Sequence, residues 1–219
     1  MDVGLFGIFV TVAVAHFLAL LSPGPDFVLV VKSAIRNKGK NAIGIAAGIA
    51  SANAVYIALC LIGVGSILAA SVSIMITLKI IGGLFLIYLA IQALKARKDS
   101  YQALTIETAS SSASANKSSF VVEFATGFMS GILNPKNLLF YLSLFTVVLN
   151  NDVSFGFKFS LGVWMTLVVF LWDAAIIFLL STEKVRHRFT KMAYYIDKVT
   201  GAILGLIGVT IVKSAITSR

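Results

Sequence analysis

Six stretches of this chain, Gly4 to Leu21, Ala42 to Ala70, Ile74 to Leu94, Phe120 to Leu149, Phe155 to Ser181 and Tyr194 to Val212, are predominantly apolar. Each reaches the length of roughly 18–20 residues that a helix needs to cross hydrocarbon. Lipid offers no hydrogen bonds, so a chain that lives in it must satisfy its backbone internally, as helices or as a closed barrel. Barrel strands alternate polar and apolar residues, and these stretches do not alternate. The sequence therefore predicts an all-α polytopic membrane protein with about six transmembrane helices. Composition agrees. The chain is 58% hydrophobic and 12% charged, against about 45–50% and 25% for a soluble domain, which excludes a soluble globule, a disordered chain and a coiled coil.

The formal charge of +9 would suit nucleic acid only if the basic residues clustered on a soluble face with aromatics among them. Instead they sit between the apolar stretches. The first connection holds Lys32, Arg36, Lys38 and Lys40, the third Lys95, Arg97, Lys98 and Lys117, and the fifth Lys184, Arg186, Arg188 and Lys191. The second, near Ala70 to Ser73, has no charge, and the fourth, Asn150 to Ser154, has only Asp152. By the positive-inside rule the odd connections are cytoplasmic and both termini external. Ala13-Val14-Ala15 resembles a signal-peptide cleavage site, but Asp2 stands where a positive n-region belongs, so a retained first helix is expected. Cys60 is the sole cysteine, which removes any intramolecular disulfide and fits a small hydrophobe in a helix.

A shift of 112 positions lays Pro23 on Pro135, Ser22 on Asn134, Phe27 on Leu139 and Gly44 on Gly156, and a shift of 119 lays Lys79-Ile80-Ile81-Gly82 on Lys198-Val199-Thr200-Gly201. Residues 1–98 and 120–219 thus read as two three-helix repeats within one membrane domain. Between them, 99–119 is rich in Ser, Ala and Thr and reads as a flexible cytoplasmic linker. An odd number of spans per repeat forces opposite insertion, hence inverted repeats.

The two repeats break at matching places. Ser22-Pro23-Gly24-Pro25-Asp26 interrupts the stretch from Gly4 to Val31, and Asn134-Pro135-Lys136-Asn137 interrupts that from Phe120 to Leu149. Proline removes backbone donors and glycine relaxes the backbone, so the first and fourth spans are expected to be proline-broken helices. Groups freed at a break must face protein or a wet cavity. Helix ends there offer N–H groups suited to a carboxylate and C=O groups suited to an ammonium. With Lys136 and Asp26 adding one charge of each sign, the breaks point to a site for a small zwitterion such as an amino acid. A plain structural kink is the competing explanation.

Each charge inside a span needs a reason, since insertion costs about 2.5–3.5 kcal/mol. Asp173, mid-span beside Trp172, is either a proton-carrying carboxylate or a structural partner, for instance of Lys136. His16 is a substrate contact, a proton relay or hydrogen-bonded packing. Glu123 is expected to meet solvent at a membrane edge. Asn53, Tyr56, Tyr88 and Tyr141 are expected to line a pathway or to pack. The spacings Gly44/Gly48, Gly127/Gly131 and Gly201/Gly205 let helices approach closely, within the bundle or at a homo-oligomer seam.

Ser22-Pro23-Gly24-Pro25, Gly39 with Gly44-Ile45-Ala46-Ala47-Gly48, Lys79-Ile80-Ile81-Gly82-Gly83 with Tyr88-Leu89-Ala90, and Gly127-Phe128 through Asn134-Pro135-Lys136 resemble the lysine exporter family, the LysE/RhtB group, over nearly the whole chain. The resemblance implies a bacterial inner-membrane exporter of amino acids or close derivatives, of the homoserine, threonine and leucine kind, driven by the proton gradient and needing no cofactor. Asp173 is not part of the family pattern. Two other classes fit the residues less well. A cation or metal exporter wants more carboxylates and imidazoles than Asp26, Asp173 and His16 supply. An intramembrane metalloprotease wants paired histidines at helical spacing, whereas the chain has only His16 and His187.

Overall fold

The segment Ser22-Pro23-Gly24-Pro25 divides the first apolar stretch as its composition requires. In the computed structural model, α1 (Val3–Leu21) stops before it and α2 (Pro25–Asn37) begins at its second proline, a position where the missing N–H costs nothing. The structure describes residues 3–22, 24–37, 41–64, 72–97, 118–148, 153–180 and 183–217. Helix α3 (Ile43–Leu59) runs into a π-helical turn, Cys60–Val64. There follow α4 (Val72–Lys95), α5 (Phe120–Leu133), α6 (Pro135–Val148), α7 (Phe155–Leu180) and α8 (Glu183–Thr217). No strand occurs among the described residues. Gly4–Leu21, Ile43–Ile62, Phe155–Leu180 and Tyr194–Thr217 are each long and apolar enough to cross a membrane, so the chain is an all-helical, multi-pass membrane protein.

The second break mirrors the first. Helix α5 ends at Leu133 and α6 starts at Pro135, with Asn134 extended between them at φ −80°, ψ 106°. A residue before proline is pushed out of the helical region by contact with the ring, so Pro135 dictates the conformation of Asn134. Helix α8 differs from expectation. It begins at Glu183 instead of Tyr194 and takes in the basic residues assigned to the fifth connection. No glycine or proline stands between Glu183 and Lys198 to stop it. Its 35 residues reach about 52 Å at 1.5 Å per residue, more than the roughly 30 Å of a bilayer core. The linker expected over 99–119 lies outside the described residues apart from Ser118 and Ser119, the latter capping α5 through Val122 N–H.

Two tight seams hold the bundle. On α3, a methyl group at Gly48 would collide with the Phe124 carbonyl of α5, and one at Gly127 of α5 would collide with the Ile45 carbonyl. Only hydrogen side chains permit that approach, the source of close packing where lipid supplies no hydrophobic drive between helices. The second seam joins α4 to α8 at Gly83, Gly201 and Gly208, where a Cβ on Gly83 would lie 2.9 Å from the Gly208 carbonyl. The paired glycines expected to join helices therefore do so inside one chain. Gly156 faces open space, whereas Gly44, its counterpart by shift, is pressed against α5. Cys60 is buried in the apolar core with Tyr56 and Ile57. Outward, Phe6, Val10, Val14 and Phe17 form an exposed apolar face on α1, the inverse of a soluble helix.

Candidate functional site

The two breaks meet, and their polar groups answer one another. Asp26, in the first turn of α2, accepts hydrogen bonds from Ser130 Oγ (2.6 Å) on Oδ1 and from Asn134 Nδ2 (3.0 Å) and Asn137 Nδ2 (2.7 Å) on Oδ2. All three donors belong to α5, α6 or the residue between them. In return, Lys136 Nζ reaches back to the first break and donates to the carbonyls of Ser22 (3.1 Å) and Ala19 (3.5 Å). Those carbonyls lost their helical partners when α1 stopped, so a lysine from the second break caps the broken end of the first. Asn134 Oδ1 also accepts from the Lys136 backbone N–H at 3.0 Å, which fixes the start of α6. Asp26 and Asp197 of α8 both act electrostatically on Lys136.

Beside this junction lies a cavity of about 60 Å³, lined by residues of both breaks and by His16, Asn53, Tyr141 and Asp173. That is space for a few ordered waters. Asp173 projects from α7 and is 8% exposed. Its carboxylate has no hydrogen bond to any described residue, so the structural pairing with Lys136 weighed from the sequence is absent from this structure. His16 is buried from α1, its Nε2 3.2 Å from the Met165 carbonyl. A carbonyl can only accept, so Nε2 carries the proton, and Nδ1 has no partner. The imidazole lies among the rings of Phe140, Tyr141 and Trp164, with centroids 6.0–6.1 Å away.

Of the residues singled out by sequence, Ser22, Gly24, Asp26, Asn134, Lys136, Asp173 and His16 border this one cavity. Pro25 is exposed and does not border it, and Pro135 serves to begin α6. Pro23 lies outside the described residues. Ser130 and Asn137 were missed as partners of Asp26. The available signal was spacing, since Ser130 stands one helical turn before Asn134 and Asn137 falls within the second break itself. Of the pathway candidates, Asn53 and Tyr141 border the cavity, Tyr56 donates to the Ile132 carbonyl, and Tyr88 is exposed on the bundle surface.

Glu123 requires a correction. It is fully buried, accepting hydrogen bonds from Ser33 Oγ and Ser118 Oγ, with Asn37 donating to both serines at 3.3 Å. Position near the end of an apolar stretch suggested solvent, but packing of α2 on the first turn of α5 seals it. Among the described residues no three His, Cys, Asp or Glu side chains gather as a metal site.

A multi-pass helical bundle whose two broken helices clasp each other around a polar cavity is a membrane protein built to admit something polar to its interior. The chain belongs to the LysE type translocator family, whose model matches residues 17–215. It is 27% identical over 211 residues to the threonine efflux protein of Salmonella typhi, covering 94% of this chain and 98% of that one. It is 26% identical over 206 residues to the leucine efflux protein of Klebsiella pneumoniae subsp. pneumoniae, covering 92% of each. No solved structure matches.

Proposed function

We propose that this translocator exports small amino acids or close derivatives, of the threonine, homoserine and leucine kind, across the bacterial inner membrane in exchange for protons. The observation that carries the proposal is the cavity at the clasped breaks, where Lys136 and the first-turn amides of α2 offer positive potential and Asp173 and Asp26 offer negative. Such a bipolar site suits a zwitterion, whose two ends want opposite partners. The names of the threonine and leucine efflux relatives support the same substrate class.

Transport by alternating access follows from inverted three-helix repeats, with α1/α2, α3 and α4 in one and α5/α6, α7 and α8 in the other. Helix packing supports that arrangement. A two-fold exchange of the repeats maps the α4–α8 contact and the α3–α7 contact onto themselves. Lys198 of α8 donates to the Ala93, Leu94 and Ala96 carbonyls at the end of α4. Its counterpart Lys79 borders a groove with Thr210 and Ser214 near the end of α8. The distribution of basic residues supports a topology with the odd loops in the cytoplasm and both termini outside.

The test uses purified protein in liposomes loaded with labelled threonine, homoserine or leucine. Acidifying the side that corresponds to the exterior should accelerate release several-fold over protein-free liposomes. Flux of none of these compounds, with and without the gradient, sinks the proposal.

A further inference from the structure

The two acids at the cavity are in opposite states of satisfaction. Both oxygens of Asp26 are occupied, by one hydroxyl and two carboxamide donors. The Asn134 and Asn137 Nδ2 groups can donate but not accept. Asp26 is thereby committed to the junction between the two breaks. Asp173 is the reverse. It has no hydrogen bond to a described residue, and a buried carboxylate without partners is costly in its charged form. Its surroundings suit it to two conditions, protonated when the cavity is empty and ionised when a cation lies against it.

Two further polar atoms around the same cavity lack partners, Asn53 Oδ1 from α3 and His16 Nδ1 from α1. With Nε2 donating to Met165, Nδ1 of the neutral ring is an acceptor. Asp173, Asn53 and His16 thus bring three unfilled acceptors to one cavity, from three helices. A primary ammonium has three donors, and a metal cation would want harder, more numerous oxygens. The other ionisable groups facing Asp173 are Asp26 from α2 and Lys136 and Tyr141 from α6, with Asp197 of α8 acting on Lys136.

We propose that Asp173, Asn53 and His16 form the ammonium pocket of the cavity, and that substrate ammonium and proton alternate at the Asp173 carboxylate, while Asp26 holds the clasp. This rests on the exporter function proposed above and adds its coupling step. On the cytoplasmic side the arriving ammonium replaces the carboxyl proton of Asp173, whose O–H bond breaks as the proton leaves to water. On the external side the substrate departs and a proton from water reforms that bond. One substrate leaves for each proton that enters.

The experiment follows export of L-threonine and L-leucine from liposomes across a pH series, and proton release from lightly buffered purified protein when either is added. Wild-type protein should release about one proton per substrate bound. Asp173→Asn should release none and lose about ten- to a hundredfold in export, the worth of a charge-assisted hydrogen bond. Asp173→Glu should export with a displaced pH profile, whereas Asp26→Glu should lower the rate alike at every pH. Elution as a single species on size exclusion verifies folding for each variant. Proton release by Asp173→Asn, or a displaced profile in Asp26→Glu alone, overturns the assignment. Failure of the wild-type protein to export either compound overturns the exporter function, and the assignment with it.

Discussion

The break between α1 and α2 and the break between α5 and α6 use one device with opposite polar content. Both interrupt an apolar helix with proline, leaving one end of a helix and the start of the next inside the bundle. The first break then presents acceptors, the Asp26 carboxylate and the Ala19 and Ser22 carbonyls; the second presents donors, the Asn134 and Asn137 carboxamides and the Lys136 ammonium. Two identical breaks would have set like against like. The complementarity of the breaks turns two costly defects into one satisfied junction and leaves Asp173 outside the exchange.

The complementarity can be broken most severely at its centre. Asp26→Asn and Pro23→Ala are each expected to abolish amino-acid export while leaving membrane insertion intact, measured by export in an overexpressing strain and by immunoblotting of membranes. Asp26→Asn removes the negative charge on which the donors of the second break converge, at a cost of about 1.5–3 kcal/mol for hydrogen bonds made to a charged group. Normal export by both variants would remove the clasp from the mechanism. The comparison is sharpened by exchanging polarity. Asp26→Asn combined with Asn137→Asp restores one carboxylate facing carboxamides, and should recover a measurable part of the export and thermal stability lost in Asp26→Asn alone. No recovery would mean that position, and not complementarity, governs the junction.

Smaller effects are expected away from the breaks. Glu123→Ala removes the acceptor of the Ser33 hydroxyl on α2 and should lower thermal stability by about 1–3 kcal/mol, read as an earlier melting transition in detergent, with export reduced less than by Asp26→Asn. At the bottom of the scale, Lys98→Ala alters a residue that follows α4 in the sequence and should leave export unchanged within error. A strong loss there would tie the connection to the transport cycle.

The breaks were legible because proline and glycine act locally. Ser22-Pro23-Gly24-Pro25 and Asn134-Pro135 forbid a continuous helix whatever surrounds them, and the structure stops α1 at Leu21 and α5 at Leu133. Asp26, Lys136 and Asp173 stood out because an ionisable group in an apolar stretch must be explained. Glu123 was misjudged for the opposite reason. Its position in the sequence is near an edge, while its burial depends on Ser33, 90 residues away. Asp26 and Asp173 looked equivalent as charges, and only their partners separate them.

The sequence by itself determined that this chain crosses a membrane as helices, where those helices break and which charges lie within them, since each follows from solvent transfer and backbone sterics of neighbouring residues. The tertiary structure alone decided which broken end meets which, that Lys136 caps carbonyls 114 and 117 positions earlier in the chain, and that one acid is saturated while another is not. Hydrogen bonds between distant segments depend on how helices pack. In lipid that packing is set by glycine seams such as Gly48 against Phe124, whose partners no local pattern specifies.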